Sequence, residues 1–259
     1  MQHFKALRAR TLFAISLILG FALITFGCDI SKFISDELTS NKSLQSVNKE
    51  FATANYSYSA NGELLGFSEY ERDSKRNIIK IRNYNGNEEL SGYSVYEYDS
   101  KKNITEASHY YANGELFTFT KIEYDSEGKE TGAKHYFNAN AEFSSYTEYD
   151  YDFKGKQTKL REYTASGELL HYAEHEYDSN GNQTKSRYYN ADGELLFKVE
   201  CEYDSNGNLT KRSDGINTNE ELSGYAEYEW DSNGNIKKRS DYNANGELYS
   251  YTVYIYKKI

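Results

Sequence analysis

The sequence predicts an all-β fold: tandem antiparallel β-hairpin repeats of about 26 residues each, forming an elongated, coiled sheet or open solenoid. Three observations predict it: a fixed period, two turn signals in each period, and an alternation of uncharged and charged residues between the turns. A Glu-Leu pair recurs from about residue 56 to the C-terminus, and its second position is spaced by 26 or 27 residues. This second position is occupied by Leu64, Leu90, Leu116, Phe143, Leu169, Leu195, Leu222 and Leu248.

Each repeat carries two turn signals. The first is Asp-Ser-Asn-Gly-Asn, complete at residues 178–182, 204–208 and 231–235 and modified in the other repeats. The second is a dipeptide such as Asn61-Gly62 or Asp192-Gly193, just before the Glu-Leu pair. Asp, Asn and Ser side chains bond back to nearby backbone N–H groups, and Gly supplies a positive φ. Consecutive strands are therefore expected to run antiparallel.

The longer strand of each repeat has one uncharged face, which in one copy consists of Leu195, Phe197, Val199, Cys201 and Tyr203. The opposite face of this strand carries an aromatic residue followed by acids, and the shorter second strand is basic. We expect the uncharged face to be buried and the acids to face the bases, with Glu174 opposite Lys185 and Tyr172 opposite Arg187.

Two repeats are 27 residues long, and their extra residue is expected in the second strand, near Gly132 and near Gly215. A single inserted residue reverses every later side chain unless a β-bulge absorbs it, so a bulge is predicted at each glycine. An open sheet of this many strands coils, and its last strand is expected to protect an exposed edge with Lys257 and Lys258.

The N-terminal region divides into two segments. Residues 1–27 have a basic start and an apolar run from Leu12 to Phe26, which predicts a signal peptide. Their ending, ITFG before Cys28, resembles the bacterial lipoprotein signal, in which the cysteine becomes lipidated; a plain signal peptide or an uncleaved anchor is the alternative. Residues 28–55 then form the anchored cysteine and a flexible tether, with a short helix near residues 32–38 as the alternative, and residues 56–259 form the array.

Charge limits the partners that we expect. The net charge is −10 and becomes −13 without residues 1–27, because this segment carries three positive charges and no negative ones. An acidic exported protein repels nucleic acid and anionic headgroups, so the expected membrane contact is the lipid anchor alone. With Cys28 lipidated, Cys201 has no partner for a disulfide and is expected to be a small buried residue.

Two motifs resemble known repeat families. YDSNGNLT at residues 203–210 resembles the YD or Rhs repeat of bacterial surface and toxin-delivery proteins. YYANGELF at residues 110–117 is similar to the MORN-like hairpin repeat. Together the two resemblances cover residues 56–259, and they imply an array of β-hairpins on an elongated sheet or open spiral. The large shell and variable C-terminal toxin of full Rhs proteins have no counterpart in this sequence.

The sequence offers little for catalysis, and we expect neither an enzyme nor a cofactor. His171 and His175 point to one face of a strand about 13 Å apart, too far for one metal ion without a third group, so no metal site is expected. The Asp-Ser-Asn-Gly-Asn segments suggest calcium, but their Gly stands at the fourth position, unlike an EF-hand loop. A turn that needs these residues is the preferred interpretation.

An aromatic row is the candidate ligand-binding feature, formed by the residue three positions after the Leu in seven of eight repeats: Phe67, Tyr93, Phe119, Tyr146, Tyr172, Tyr225 and Tyr251. Lys198 takes this position in the remaining repeat. Exposed rings of this kind stack on sugars or anchor a partner protein. The alternative is that the rings pack on one another and stiffen the sheet.

These observations predict a non-enzymatic, lipid-anchored envelope or surface protein that serves as a binding or display scaffold for a protein or carbohydrate partner. An outer-membrane or cell-surface location is favoured over the inner membrane. The second hypothesis is a MORN-like immunity or antitoxin protein at the envelope, and the third is an envelope enzyme that acts on glycans.

Overall fold

The computed structural model describes residues 50–137, 140–216 and 222–258. The predictions for the signal peptide, for Cys28 and for the tether up to residue 49 lie outside these ranges. All of the described residues belong to one compact unit. No helix among the described residues is long and apolar enough to span a membrane.

The described residues form sixteen β-strands, in the order β1 Glu50–Ser59, β2 Leu64–Arg72, β3 Ile78–Asn85, β4 Leu90–Tyr98, β5 Ile104–Tyr111, β6 Leu116–Tyr124, β7 Glu130–Phe137, β8 Glu142–Tyr151, β9 Gln157–Thr164, β10 Leu169–Tyr177, β11 Gln183–Asn190, β12 Leu195–Tyr203, β13 Leu209–Ile216, β14 Gly224–Trp230, β15 Ile236–Asn243 and β16 Leu248–Lys258. Each strand pairs antiparallel with its neighbours in sequence, and β1 also pairs with β16.

The sheet therefore closes into a barrel, and the prediction of an open solenoid or coiled sheet is wrong. The closing strand β1 begins at Glu50, before the first Glu-Leu pair, and Tyr58 lies opposite Tyr251 of β16. Closure hydrogen-bonds both ends of the array, so no edge strand needs protection. Lys257 lies opposite Phe51 in this pairing and does not shield a free edge.

The even-numbered strands all run in the same direction, which gives the barrel two different ends. We call the end with the Asp loops (residues 73–77, 99–103, 125–129, 152–156, 178–182, 204–208 and 231–235) the loop end. The end with the turns that precede the Glu-Leu pairs is the turn end. Each Asp loop is closed by a hydrogen bond from the Asp N–H to the carbonyl of its fifth residue, as in Asp178 to Asn182 at 2.9 Å.

The hairpin register differs from the prediction. A bulge follows each Asp loop, so Tyr177 lies opposite Gln183, Glu174 opposite Arg187, and Tyr172 opposite Tyr189. The predicted pairs of Glu174 with Lys185 and Tyr172 with Arg187 are therefore wrong. Alternation alone fixes which residues share a face, but the number of residues held in the loop fixes the partner.

The uncharged face of the longer strands forms the inner wall of the barrel. Val199, Ala226 and Tyr228 are buried on it, whereas Glu202 and Glu229 on the opposite face are exposed. The end residue of most longer strands also reaches across the inner wall to a backbone carbonyl of the preceding strand, as Tyr203 does to Gln183 at 2.9 Å. The inner wall is thus shielded from water at these positions.

The two 27-residue repeats absorb their extra residue differently. In β13 the register shifts between Ser213 and Ile216, and Gly215 has a φ of 69°. In β7, Gly132 shows only the bulge that follows the other Asp loops, and five residues instead of four separate Phe137 from the Leu position of the next repeat. The predicted glycine bulge therefore occurs at Gly215 but not at Gly132.

Candidate functional site

The outer wall of the barrel is a lattice of acids and bases. Arg82 contacts Glu71 at 2.8 Å within one hairpin, and Lys159 contacts Glu174 at 3.1 Å between hairpins. Such exposed pairs stabilise a protein by less than about 1 kcal/mol each. Their main consequence is that charged side chains surround most of the barrel, which is incompatible with the apolar outer band of a membrane-spanning barrel.

The predicted aromatic row lies on this outer wall, near the turn end, where its rings form stacked pairs across the strands. The pairs are Phe67 with Tyr84, Tyr93 with Tyr110, Phe119 with Tyr136, Tyr146 with Tyr163, Tyr172 with Tyr189, Tyr225 with Tyr242 and Tyr251 with Tyr58, at centroid distances from 4.5 to 5.2 Å. Each stacked pair contributes about 0.5 to 1.5 kcal/mol beyond the area that it buries.

Lysines cover the other face of several rings in the row. The ammonium of Lys159 lies 4.3 Å from the centroid of Tyr172, and that of Lys80 lies 4.1 Å from the centroid of Tyr93. A ring with a tyrosine on one face and a lysine on the other has no open face for a sugar. This geometry favours the stiffening role, and a ligand would reach the edges and hydroxyl groups of the row.

A second outer feature at the turn end did not emerge from sequence reasoning. The residue after the Leu of the Glu-Leu pair is apolar in several repeats and is among the most exposed apolar residues described, as in Leu65 (52%), Leu170, Leu196 and Tyr249 (58%). We call these four residues the apolar rim. The signal was present in the sequence as a second apolar residue directly after the Leu, where the alternation requires an outward side chain.

The inner wall carries imidazole and hydroxyl groups from β4 to β11. Ser94 contacts Nδ1 of His109 at 2.8 Å, Thr120 and Thr147 each contact a ring nitrogen of His135 at 3.0 Å, and Nδ1 of His175 contacts the hydroxyl of Ser186 at 2.9 Å. Burial lowers the pKa of His109 and of His135, which favours the neutral imidazole.

Glu162 is a buried carboxylate of this wall, and it lies 3.0 Å from Nε2 of His171. Burial alone would raise the pKa of Glu162, but the hydrogen bond and charge of His171, together with contributions from Ser145 and His135, outweigh burial and hold the pKa below its ordinary value. His171 and His175 thus contact different partners. In the described part of the chain, no three His, Cys, Asp or Glu residues are grouped so that they could hold a metal ion.

The Asp loops use their carboxylates internally. In the loop at residues 178–182, one oxygen of Asp178 accepts hydrogen bonds from the N–H groups of Asn180 and Asn182, and the other accepts one from the side chain of Asn182 at 2.9 Å. These hydrogen bonds, those from Asn182 foremost, lower the pKa of Asp178. The loop residues suggested as calcium ligands are therefore engaged in closing the turn.

No protein-family profile matches the sequence, and no curated protein is significantly similar to it. Among solved structures, the barrel is similar to a porin-like protein from Bacteroides uniformis, with 10% identity over 80% of this chain and 98% of that chain at a TM-score of 0.53. The Tc holotoxin pore of Photorhabdus luminescens matches 85% of this chain but 12% of its own chain, with 13% identity and a TM-score of 0.33. The first likeness establishes a shared fold, and the second is too weak to support an argument.

Proposed function

We propose that this protein is a lipid-anchored, non-enzymatic component of the bacterial envelope, whose barrel serves as a binding scaffold for a protein or carbohydrate partner. The observation that carries the proposal is the charged outer wall. Carboxylates occupy outward positions five or seven residues after the Leu in seven of the eight longer strands, so burial of the wall in hydrocarbon would be costly. These charges support a barrel that lies in water, with Cys28 as its proposed attachment to the membrane.

Metabolic labelling with an alkyne fatty acid tests the anchor. The wild-type chain is expected to incorporate the label and to sediment with membranes. The Cys28→Ser variant is expected to lose the label and, in high salt, to enter the soluble exported fraction. Incorporation of the label by this variant, or its sedimentation with membranes at the wild-type level in high salt, would contradict anchoring through Cys28.

The apolar rim, together with the neighbouring aromatic row, is the surface that we assign to the partner. Exposed apolar side chains near tyrosines are typical of protein interaction sites, and the apolar rim offers two such pairs, Leu65 with Tyr249 and Leu170 with Leu196. A photo-crosslinking residue at Leu170 or Leu196 is expected to yield a discrete crosslinked product in intact cells. The same residue at Ser232, on the loop end, is the matched control, and equal products at both ends would contradict a partner at the apolar rim.

The non-enzymatic part of the proposal is supported by the inner wall. Its Ser–His contacts resemble those of a hydrolase only in composition, because the hydroxyl of Ser186 contacts Nδ1 of His175 and both residues are buried, with 2% and 6% exposure. A substrate does not reach groups so enclosed without opening the barrel. We also propose that the chain is a relative of the YD or Rhs repeat proteins, a relationship supported by the YDSNGNLT motif alone.

A further inference from the structure

The loop end carries its cationic side chains on one arc. The loops at residues 73–77, 99–103, 125–129 and 152–156, which we call the cationic loops, contain seven Lys or Arg and five Asp or Glu. The loops at residues 178–182, 204–208 and 231–235, which we call the neutral loops, contain three Asp and no Lys or Arg. The cationic loops are consecutive around the barrel because they join the neighbouring strands β2 to β9. A protein of net charge −10 thus has a localised cationic surface.

Lys75, Lys102 and Lys154 of these loops project, whereas the first Asp of each loop turns inward. Oδ1 of Asp99 accepts hydrogen bonds from the N–H groups of Lys101 and Asn103, as the corresponding Asp does in the neutral loops. Among the described residues, none of the ion pairs involves Lys75, Lys102 or Lys154, and all three are exposed. Their charges are therefore available to an external anion.

Two of the cations occupy a backbone position that favours glycine. Arg76 and Lys102 have φ values of 72° and 73°, at the fourth loop position, where the neutral loops place Gly181, Gly207 and Gly234. A residue with a side chain is strained in this conformation. In both of these loops the side chain held in this conformation is a cation.

Neighbouring loops are also held together by two of their lysines. The ammonium of Lys101 donates a hydrogen bond to the carbonyl of Ser126 in the next loop at 3.1 Å. That of Lys156 donates to the carbonyl of Gly181 at 2.9 Å. These contacts fix the loops side by side, so that they present one surface.

Phe153 is the most exposed of the large apolar residues described, at 93%. It occupies the second loop position, where every other Asp loop has Ser, and Lys154 follows it with its ammonium 5.5 Å from the ring centroid. The ring packs against no core. A fully exposed Phe among lysines combines an apolar group that enters the acyl boundary with cations that meet phosphate.

We infer that the cationic loops and Phe153 form a face that rests on an anionic lipid bilayer. The net charge of −10 predicts repulsion from anionic headgroups, because it sums the cations of these loops with the acids of the outer wall. The inference adds a second membrane contact to the lipid anchor proposed above, and it is independent of Cys28. With this face on the bilayer, the apolar rim at the opposite end points away from the membrane and towards a partner.

The test uses the chain from residue 29 onwards, which lacks the signal and the lipid but retains the whole barrel. Its sedimentation is measured with vesicles of phosphatidylcholine alone and with vesicles that include phosphatidylglycerol. We expect binding to the anionic vesicles only, weakening as salt is added. In the main variant, the loops at residues 73–77, 99–103 and 152–156 take the Asp-Ser-Asn-Gly-Asn sequence of the neutral loops, which the barrel already accommodates.

Binding is expected to fall by roughly fivefold for each Lys or Arg removed. The matched pair is Lys102→Gly with Lys154→Asn against Lys159→Asn with Lys211→Asn, because both remove two charges but only the first removes them from the cationic loops. Unchanged binding of the main variant, equal losses in the two double variants, or no binding of the parent chain to anionic vesicles would each overturn the inference. Because none of these variants carries lipid, such results would not affect the proposal that Cys28 anchors the protein, which the labelling experiment tests separately.

Tryptophan fluorescence identifies the insertion of the loop. In Phe153→Trp, the emission is expected to shift to shorter wavelength on addition of anionic vesicles, whereas Ser179→Trp, at the same position of the next loop, is expected to remain unshifted. Trp230, the one native tryptophan, is subtracted as background from the parent chain. If the chain bound soluble heparin as tightly as anionic vesicles, and the Phe153→Trp emission did not shift on vesicles, the ligand of this face would be a soluble polyanion. That result would overturn the inference.

Discussion

The cationic loops and the neutral loops share one backbone but expose different side chains. In all seven, the Asp N–H donates to the carbonyl of the fifth residue at 2.8 or 2.9 Å, and the fourth residue donates to the carbonyl of the Asp. The first position is Asp throughout, while the second to fifth positions vary among the loops. The comparison separates the residues that build the loop from those that determine what it contacts.

The shared part of the comparison predicts the largest effect. Asp204→Ala in a neutral loop removes the acceptor for the N–H groups of Asn206 and Asn208 and for the side chain of Asn208. By analogy with the loss of a helix cap, we expect a destabilisation of about 1 to 2 kcal/mol in urea denaturation. Asp99→Ala in a cationic loop is expected to act in the same direction. Destabilisation by only one of the two substitutions would break the comparison, because the two arcs would then be held by different hydrogen bonds.

The fourth loop position predicts effects of opposite sign at Lys102 and at Gly207. Lys102→Gly relieves a positive φ and is expected to stabilise the barrel by about 1 kcal/mol. Gly207→Lys places a side chain at a φ of 82° and is expected to cost about as much. Thermal unfolding of both variants measures the difference. Equal stability of Lys102→Gly and the parent chain would show that the strained cation is compensated locally, which would weaken its assignment to the membrane.

The sequence predicts much of the local structure and little of the closure. The turns at Asn61-Gly62 and at residues 178–182 follow from side chains that bond to their own backbone, and the inner position of Val199 follows from a period of two. Closure depends on β1, which precedes the first Glu-Leu pair and begins at Glu50, before the array that the period defines from about residue 56. No local signal indicates that Tyr58 lies opposite Tyr251, about 190 residues away, so the open array was the expectation.

The candidate sites are likewise predictable in their local features and not in their long-range contacts. The aromatic row was found from its spacing, but the position of Lys159 over Tyr172 depends on a register that bulges shift. Phe153 and Lys102 are conspicuous only when the loops are placed side by side at one end. In the linear sequence they are substitutions within degenerate repeats, and net charge hides the local cationic surface.

The Asp loops predict an acid-sensitive stability that both arcs share. Hydrogen bonds, those from Asn103 and Asn182 foremost, lower the pKa of Asp99 and Asp178 in the folded chain below the ordinary value of 3.8. A folded-state pKa below the unfolded value means that the stabilisation is present above about pH 4 and is lost as the pH falls through the folded values. Denaturation midpoints between pH 2 and pH 5 measure this loss. The main variant, in which three cationic loops take the Asp-Ser-Asn-Gly-Asn sequence, retains every Asp and is expected to lose stability over the same pH range. If only the parent chain lost stability in acid, the pH dependence would belong to the cations.

The second loop position predicts the smallest effect on stability. Phe153→Ser removes a ring that is 93% exposed, so the free energy of unfolding is expected to change by less than about 0.5 kcal/mol. Ser179→Phe, the converse change in a neutral loop, is the matched control and is expected to be equally neutral. Thermal unfolding of both variants checks this expectation. A loss above about 1 kcal/mol in Phe153→Ser alone would mean that the ring packs within the barrel end. If Phe153→Ser leaves the free energy of unfolding unchanged but weakens vesicle binding, the ring acts in membrane contact and not in stability. The loop would then combine two separate roles: its Asp closes the turn, and its Phe contacts the bilayer.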